Sequence, residues 1–239
     1  MKILGIESSS LVASVAIVTN GTLTGEYTMN NKKTHSQTLL PMLDELASLL
    51  ELDLSELDAI AVSAGPGSFT GLRIGSATAK GLGLALKKPL IHIPTVDAMA
   101  YGLWGAKALV CPIMDARRNQ VYTGIYRTEK KLEAVKAQCA ADLGDLIEEL
   151  NQLGEDVIFL GDGVPVYRER ICRDMKTPFA FAPAHLNRQR AASVAALGAL
   201  YFEEGKIEDA ASHEPDYLRK SQAEREREGK ELLKGDHAL

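Results

Sequence analysis

Residues 63–86 read SAGPGSFTGLRIGSATAKGLGLAL and hold six glycines in 24 positions. The apolar run DAIAVSAG leads into this stretch and predicts a buried strand, and TGLRIGSATAKGLGLAL has the length and pattern of a helix. A strand, a glycine-rich turn and a helix in this order are typical of α/β proteins. The glycines indicate that something lies close to this backbone, and a nucleotide phosphate and another helix are the two hypotheses.

The glycine turn does not fit either of the two common phosphate-binding fingerprints. A P-loop needs a lysine and a hydroxyl residue after its last glycine, but Leu72 and Arg73 follow Gly71. The dinucleotide fingerprint G-x-G-x-x-G fails by one residue, since Gly65, Gly67 and Gly71 give G-x-G-x-x-x-G. We therefore predict a strand-to-helix turn capped by a Ser or Thr side chain, at which the helix N-terminus still attracts anions.

Small residues recur every fourth position along the predicted helix, at Gly71, Gly75, Ala79 and Gly83. Each glycine inside a helix costs roughly 0.8–1 kcal/mol relative to alanine, so a close packing contact should offset the loss. A stripe of small residues lets another element approach closely. The approaching element is either a part of this chain's own core or a helix of a second subunit.

The preceding segment, HSQTLLPMLDELASLL at 35–50, predicts a helix with apolar residues on more than one face. Such a helix beside a small-residue stripe favours a helix–helix interface between subunits, with burial in a large core as the alternative. The predicted partner interface consists of Leu39, Leu43, Leu46, Gly71, Gly75, Ala79 and Gly83.

The order of predicted elements in the first hundred residues recurs in the second hundred. ILGIESS begins the first copy, a strand pair joined by Asn20-Gly21 follows, and CPIMDARR and QVYTGIYR open the second copy. We predict an N-terminal lobe at 1–100 that carries the partner-binding helices and a C-terminal lobe at 101–218. A helix at about 188–205 crosses back, and 219–239 form a charged tail.

Composition excludes several functional classes. The net charge of −5 and the 5% aromatic content argue against autonomous binding of nucleic acid. Three widely spaced cysteines provide neither a zinc motif nor a disulfide framework. Since no apolar run is long enough for a membrane span, we expect a cytoplasmic protein with no membrane partner.

The predicted lobes would each contribute an acidic strand end to a cleft between them. Glu7 ends the first strand, where its carboxylate could orient a metal-bound nucleotide, activate a water or cap the turn. Asp115 occupies the corresponding place in the second lobe. The five histidines are far apart and form no H-x-x-x-H pair, so the spacing predicts no metal site. The candidate nucleotide cleft consists of Glu7, Ser8, Ser9, Asp115, Gly161 and Gly163.

Five segments together resemble one known family: ILGIESSS…ASVAIV, HSQTLLPML, VSAGPGSFTGLRIG, DARRNQVY and PDYLR. They are similar to the TsaB (YeaZ) family, whose members serve in threonylcarbamoyl modification of the adenosine beside the tRNA anticodon. The resemblance covers roughly residues 1–220. It implies an α/β protein with a duplicated actin-like (ribonuclease H-like) fold, in which each of two lobes has a mixed β-sheet and flanking helices.

The resemblance also implies a role in a complex. TsaB proteins pair through two N-terminal helices with TsaD, a catalytic paralogue that binds metal through a histidine pair. Here His35 matches the first histidine and Leu39 stands where the second would be. The expectation is a non-catalytic scaffold that forms a homodimer when alone, is joined by the small ATPase TsaE, and meets tRNA only through the complex.

Cofactors and activity follow from the same comparison. We expect no cofactor for the chain by itself, with weak ATP or ADP binding, alone or at the complex interface, left open. The alternative function is a stand-alone ATPase or small-molecule kinase of actin-like fold that uses Glu7, Asp115 and the Gly161–Gly163 turn.

Overall fold

The computed structural model describes residues 1–31 and 33–218. The predicted charged tail at 219–239 lies outside the described residues. Within the described part, no helix combines the length and apolar character needed to cross a bilayer.

The first half of the chain forms a five-stranded mixed sheet with two helices on one face. Asn20 and Gly21 both have positive φ, as the predicted two-residue hairpin requires. The strand order is β3-β2-β1-β4-β5. The elements are β1 (Lys2–Glu7), β2 (Val12–Thr19), β3 (Thr22–Asn30), α1 (His35–Leu49), a 3₁₀ turn (Leu54–Glu56), β4 (Ala59–Gly65), α2 (Phe69–Leu86) and β5 (Leu90–Pro94).

The second half repeats this arrangement strand for strand. Its order is β8-β7-β6-β9-β10, in which the central strand again pairs antiparallel with the next strand of the chain and parallel with the one after α4. This repetition confirms the predicted duplicated α/β fold. The elements are β6 (Leu109–Asp115), β7 (Gln120–Arg127), β8 (Glu133–Asp142), α4 (Leu143–Leu153), β9 (Val157–Leu160), α5 (Gly163–Asp174) and β10 (Phe179–Phe181).

Two further helices join the halves. Helix α3 (Thr95–Tyr101) contacts strands of both sheets, and α6 (Ala191–Glu203) packs on the first sheet although it follows the second in sequence. Helix α6 is apolar on nearly all sides, which is typical of a helix enclosed in protein. The division into lobes at residue 100 stays a prediction, since α3 belongs to the packing of both halves.

Each sheet is covered on both faces. Helices α1 and α2 bury one face of the first sheet, and α6 with α3 buries the other. In the second sheet, α4 and α5 bury one face and α3 packs on the other. Because α2 and α5 follow equivalent strands, their N-termini open toward one cleft between the halves.

Candidate functional site

The cleft between the halves holds a cavity of about 590 Å³. The turn after β1, the start of α2 and the end of β6 form its walls, and the C-terminal segment at 216–218 closes one side. Tyr217 of that segment stacks on Phe69 at a centroid separation of 4.7 Å, and Arg73 donates to its hydroxyl at 3.4 Å.

The glycines of α2 approach the turn after β1 of their own lobe. A Cβ built on Gly67 would overlap the carbonyl oxygen of Ser9, and one on Gly71 would overlap that of Ser8. Gly75 lies against the Ser8 hydroxyl, which donates to the Gly71 carbonyl at 2.9 Å. The backbone of the first lobe therefore occupies the space that the sequence assigned to a phosphate or to a partner helix.

The predicted partner interface stays a prediction, but most of its residues are packed within the chain's own first lobe. Leu39, Leu43 and Leu46 are buried in the core between α1 and the first sheet, as is Ala79 of α2. Gly83 packs against Ala210 and Leu90 of the same chain. Periodicity correctly grouped these residues on common helix faces, and those faces cover the chain's own sheet.

Helices α1 and α2 do leave an apolar outer surface, with a groove of about 440 Å³ between them. Leu40 is 52% exposed and Leu84 is 58% exposed. No described atom lies within 4 Å of a Cβ built on Gly81, so this glycine is not required by packing within the described chain. We call the groove between α1 and α2 the outer groove. It is lined by His35, Ser36, Leu39, Leu40, Ile74, Ala77, Thr78, Gly81 and Leu82.

Glu7 lies beneath the cleft rather than in it. Its side chain is almost fully buried, and Oε1 accepts hydrogen bonds from the backbone N–H and the hydroxyl of Ser9, both at 2.6 Å. Burial raises the pKa of Glu7 to about 7, against the opposing effect of these hydrogen bonds. Of the roles left open by the sequence, this geometry favours the turn cap.

The second lobe repeats the close approach seen in the first. Gly161 has φ of +110°, and a Cβ there would overlap the carbonyl oxygen of Ile113 at the end of β6. Gly163 meets the same oxygen at 2.9 Å from its ideal Cβ. These two glycines therefore allow α5 to begin against β6, and neither lines the cavity.

Asp115 lines the cavity as predicted from its position at the strand end. Its Oδ1 accepts from the backbone N–H of Arg117 and from the Tyr167 hydroxyl, each at 2.9 Å. Desolvation, together with hydrogen bonding to this carboxylate, raises the pKa of Tyr167 to about 12.

Asp162 is a cleft residue that the sequence analysis did not single out. It stands between Gly161 and Gly163 and lines the cavity. Burial raises its pKa, and Gln189 Nε2 donates to its Oδ1 at 3.1 Å. Its position after a strand, like that of Asp115, is the feature of the sequence that could have identified it as a cleft residue.

The cleft is acidic overall. Asp115, Asp162 and Asp216 line it, and of the described lining residues Arg117 is the one with a basic side chain. The α2 N-terminus also faces the cavity, but the Ser68 hydroxyl already accepts from the Gly71 N–H at 3.3 Å. A nucleotide phosphate entering here would meet carboxylates rather than a ring of cations.

The start of α1 lacks a second histidine. His35 is buried, and its Nε2 lies 2.8 Å from the Ser10 carbonyl oxygen. One turn later the chain has Leu39, which is 1% exposed in the core. The residues at this position therefore do not provide a metal-binding histidine pair.

A distant structural likeness agrees with the duplicated fold. The inorganic polyphosphate/ATP-glucomannokinase of Arthrobacter sp. strain KM aligns with 85% of this chain and 99% of its own, with a TM-score of 0.50 and 15% identity. At this identity the likeness concerns the fold alone.

Closer matches define the family. Residues 22–227 match the family described as TsaD: tRNA N6-adenosine threonylcarbamoyltransferase. The tRNA threonylcarbamoyladenosine biosynthesis protein TsaB of Bacillus subtilis (strain 168) is 32% identical, over 94% of this chain and 96% of that protein. A crystal structure of a Pseudomonas aeruginosa protein with similarity to peptidase YEAZ has 27% identity and a TM-score of 0.79, and covers 91% of this chain and 99% of its own. The chain therefore belongs to the TsaB (YeaZ) family.

Proposed function

We propose that this chain acts in tRNA threonylcarbamoyladenosine biosynthesis as a non-catalytic scaffold subunit that pairs with a TsaD-type catalytic paralogue. The observation that carries the proposal is the exposed apolar surface of α1 and α2 in a member of the TsaB family. The two helices named by the resemblance are retained as the partner surface. The proposed contacting residues are those of the outer groove, which shares only Leu39 with the interface predicted from the sequence.

The outer groove has the chemistry of a helix-docking site. Leu40, Ile74 and Leu82 supply apolar side chains on its walls. On the α2 side, the small residues Ala77 and Gly81 leave room for another helix to approach the backbone. An exposed glycine inside a helix costs about 1 kcal/mol relative to alanine. Since nothing described in this chain requires Gly81, close approach of a partner helix gives this glycine a function.

The residues also favour a non-catalytic role. The first turns of α1 pair His35 with the buried Leu39 where the resemblance expects two histidines. Glu7 uses its carboxylate to hold the turn after β1. The carboxylates of the cleft disfavour binding of a nucleoside triphosphate unless cations are added to offset its negative charge.

The remaining partners belong to the pair rather than to this chain alone. A net charge of −5 and the acidic cleft favour tRNA binding through the complex, in the cytoplasm. The TsaE-type ATPase would join the assembled pair. In the absence of the paralogue, the outer groove of one copy would pack against that of another and give a homodimer.

Light scattering on size exclusion tests the pairing, with the chain alone and mixed with the TsaD-type paralogue of the same organism. Leu40→Glu and Gly81→Trp are expected to weaken the complex by at least about tenfold. Val135→Glu is the matched control, because Val135 is exposed on β8, away from both helices.

The possible outcomes test the scaffold role and the proposed binding surface separately. Absence of a complex with the unsubstituted chain contradicts the scaffold role. A complex that tolerates both groove variants keeps the role and refutes the surface. Gly75→Trp is unsuitable here, since Gly75 packs against Ser8 and the change would disrupt the lobe itself.

A stand-alone ATPase or kinase is the second candidate, and the cavity flanked by Asp115, Asp162 and the α2 N-terminus is the feature that favours it. Magnesium-dependent ATP turnover by the purified chain, lost in Asp115→Ala, would support this candidate.

A further inference from the structure

Three side chains of the types that ligate metals meet at the β5 edge of the first sheet. His92 is on β5, and Glu208 and His213 are on the C-terminal segment after α6. One potential ligand atom from each lies within 4.8 Å of the others. The two imidazole rings have centroids 5.8 Å apart and are inclined at 61°.

Backbone hydrogen bonds hold the C-terminal segment, with Glu208 and His213, beside β5. Leu90 and Glu208 exchange N–H···O hydrogen bonds of 3.0 and 2.9 Å, so the C-terminal segment pairs with the start of β5. Further along, the Asp216 N–H donates to the Ala64 carbonyl at 2.7 Å. The segment is therefore held at two points with His213 between them.

His213 has an unused nitrogen in a buried position. Its side chain is fully buried, Nδ1 is hydrogen-bonded to Glu208, and Nε2 finds no hydrogen-bond partner among the described residues. An orphaned nitrogen in such a position loses free energy unless something binds it.

We propose that His92, Glu208 and His213 form a binding site for one divalent transition metal ion, with Zn²⁺ the best fit to two imidazoles and a carboxylate. Two histidines and one glutamate are a known ligand set for zinc, which leaves its fourth position to water. Asp216 accepts from His92 at 2.9 Å and acts as the carboxylate that orients this ring.

Distances and charges are compatible with a bound ion. Ligand atoms on one tetrahedral zinc ion lie about 3–3.5 Å apart, so side chains must move inward by about an ångström. His92 and Glu208 are partly exposed and have that freedom. To share the ion with His213 Nε2, the Glu208 carboxylate must turn away from its hydrogen bond with Nδ1 of that ring. The carboxylates of Glu208 and Asp216 offset the charge of the ion, while Lys80 donates to the His213 carbonyl rather than to its ring.

Sequence spacing concealed this site. The histidines are far apart in sequence, and this spacing predicts no metal site, but the chain returns to β5 after passing through the second lobe. The site would fasten the segment whose Asp216 and Tyr217 form one wall of the cleft.

Zinc binding by the full-length protein without a histidine tag tests the site. Titration of Zn²⁺ against a chromogenic chelator should give one ion per chain. His92→Asn and His213→Ala should each weaken binding at least about tenfold, and Asp216→Asn should weaken it less. His185→Ala is the matched control, because His185 is an exposed histidine outside the cluster.

A second measurement covers the case in which His213→Ala fails to fold. Zinc should raise the unfolding temperature of the unsubstituted protein but not of His92→Asn, whose side chain is at the rim. Failure to bind one zinc ion, equal affinity in His92→Asn, or an equal loss in His185→Ala would overturn the proposal.

Discussion

At the scale of single residues, Glu7 is the side chain whose role depends most on its surroundings. Its pKa is raised to about 7 in the folded chain, mainly by burial, from an ordinary value near 4.5. Between these two pH values the folded chain holds a proton that the unfolded chain has released. Stability is therefore fully retained below pH 4.5, falls as the pH rises toward 7, and then levels off with respect to this group.

Glu7→Gln should remove this dependence, because the amide oxygen can still accept from Ser9 and carries no charge. Relative to the unsubstituted chain, the variant should gain about 2–3 kcal/mol of unfolding free energy between pH 4.5 and pH 8. Urea unfolding at both pH values measures the difference. Glu45→Gln, at an exposed position on α1, should show no comparable change, and a Glu7→Gln curve parallel to the parent would refute the assignment.

The sequence identified Glu7 but could not assign its role. A carboxylate at a strand end followed by three serines fits both a turn cap and a nucleotide site. Ser9 decides between them through two short hydrogen bonds, which require a turn geometry that the sequence does not specify. The sequence analysis did not identify Asp162 as a cleft residue, because the glycines on either side of it indicate a turn.

At the scale of elements, α2 separates glycines that the fold needs from one that it does not. Gly71→Ala would place a methyl group against the Ser8 carbonyl oxygen, and it should cost about 1–3 kcal/mol. Gly81→Ala adds its methyl group to open space and improves helix propensity, so it should stabilise the isolated chain by about 1 kcal/mol. Urea unfolding of the two variants side by side checks the sign of each change.

The pairing assay adds a second result for Gly81→Ala. If the outer groove admits a partner helix closely, this variant should be more stable alone and weaker in complex. Equal effects of alanine at 71 and 81 on stability would contradict the packing described here.

The positions of the helices were predicted better than the surfaces against which the helices pack. The periodicity correctly placed α1 and α2, and a serine, Ser68, caps α2 as the sequence predicted. A repeat of four residues defines a face but not what the face touches. Leu39 and Leu43 could therefore be assigned to a subunit interface, whereas the sheet of the same lobe covers them.

At the scale of the whole molecule, repetition of element order predicted the duplicated fold. The cleft and the His92–His213 meeting were harder to predict, because they join residues from distant parts of the chain. The C-terminal segment is the clearest example. It runs from α6 past β5 to the cleft, and its contacts with Leu90 and Ala64 have no counterpart in local sequence pattern.

Helix α6 should be essential to the first lobe although it comes after the second. Gly198 packs against Ala61, and a Cβ on Gly5 would overlap the Ala191 carbonyl oxygen. A chain ending at residue 190 would expose the apolar face of the first sheet that α6 covers, including Ile3 and Ala61. We expect that chain to lose cooperative thermal unfolding and to bind a hydrophobic dye.

The matched control ends at residue 218 and keeps all of α6. It should unfold cooperatively and bind no more dye than the full chain, since every contact described here is retained. Native-like unfolding of the chain ending at 190 would contradict the role of α6. Because α6 covers the first sheet on the face opposite α1 and α2, its loss should also weaken pairing through the outer groove without altering any groove residue.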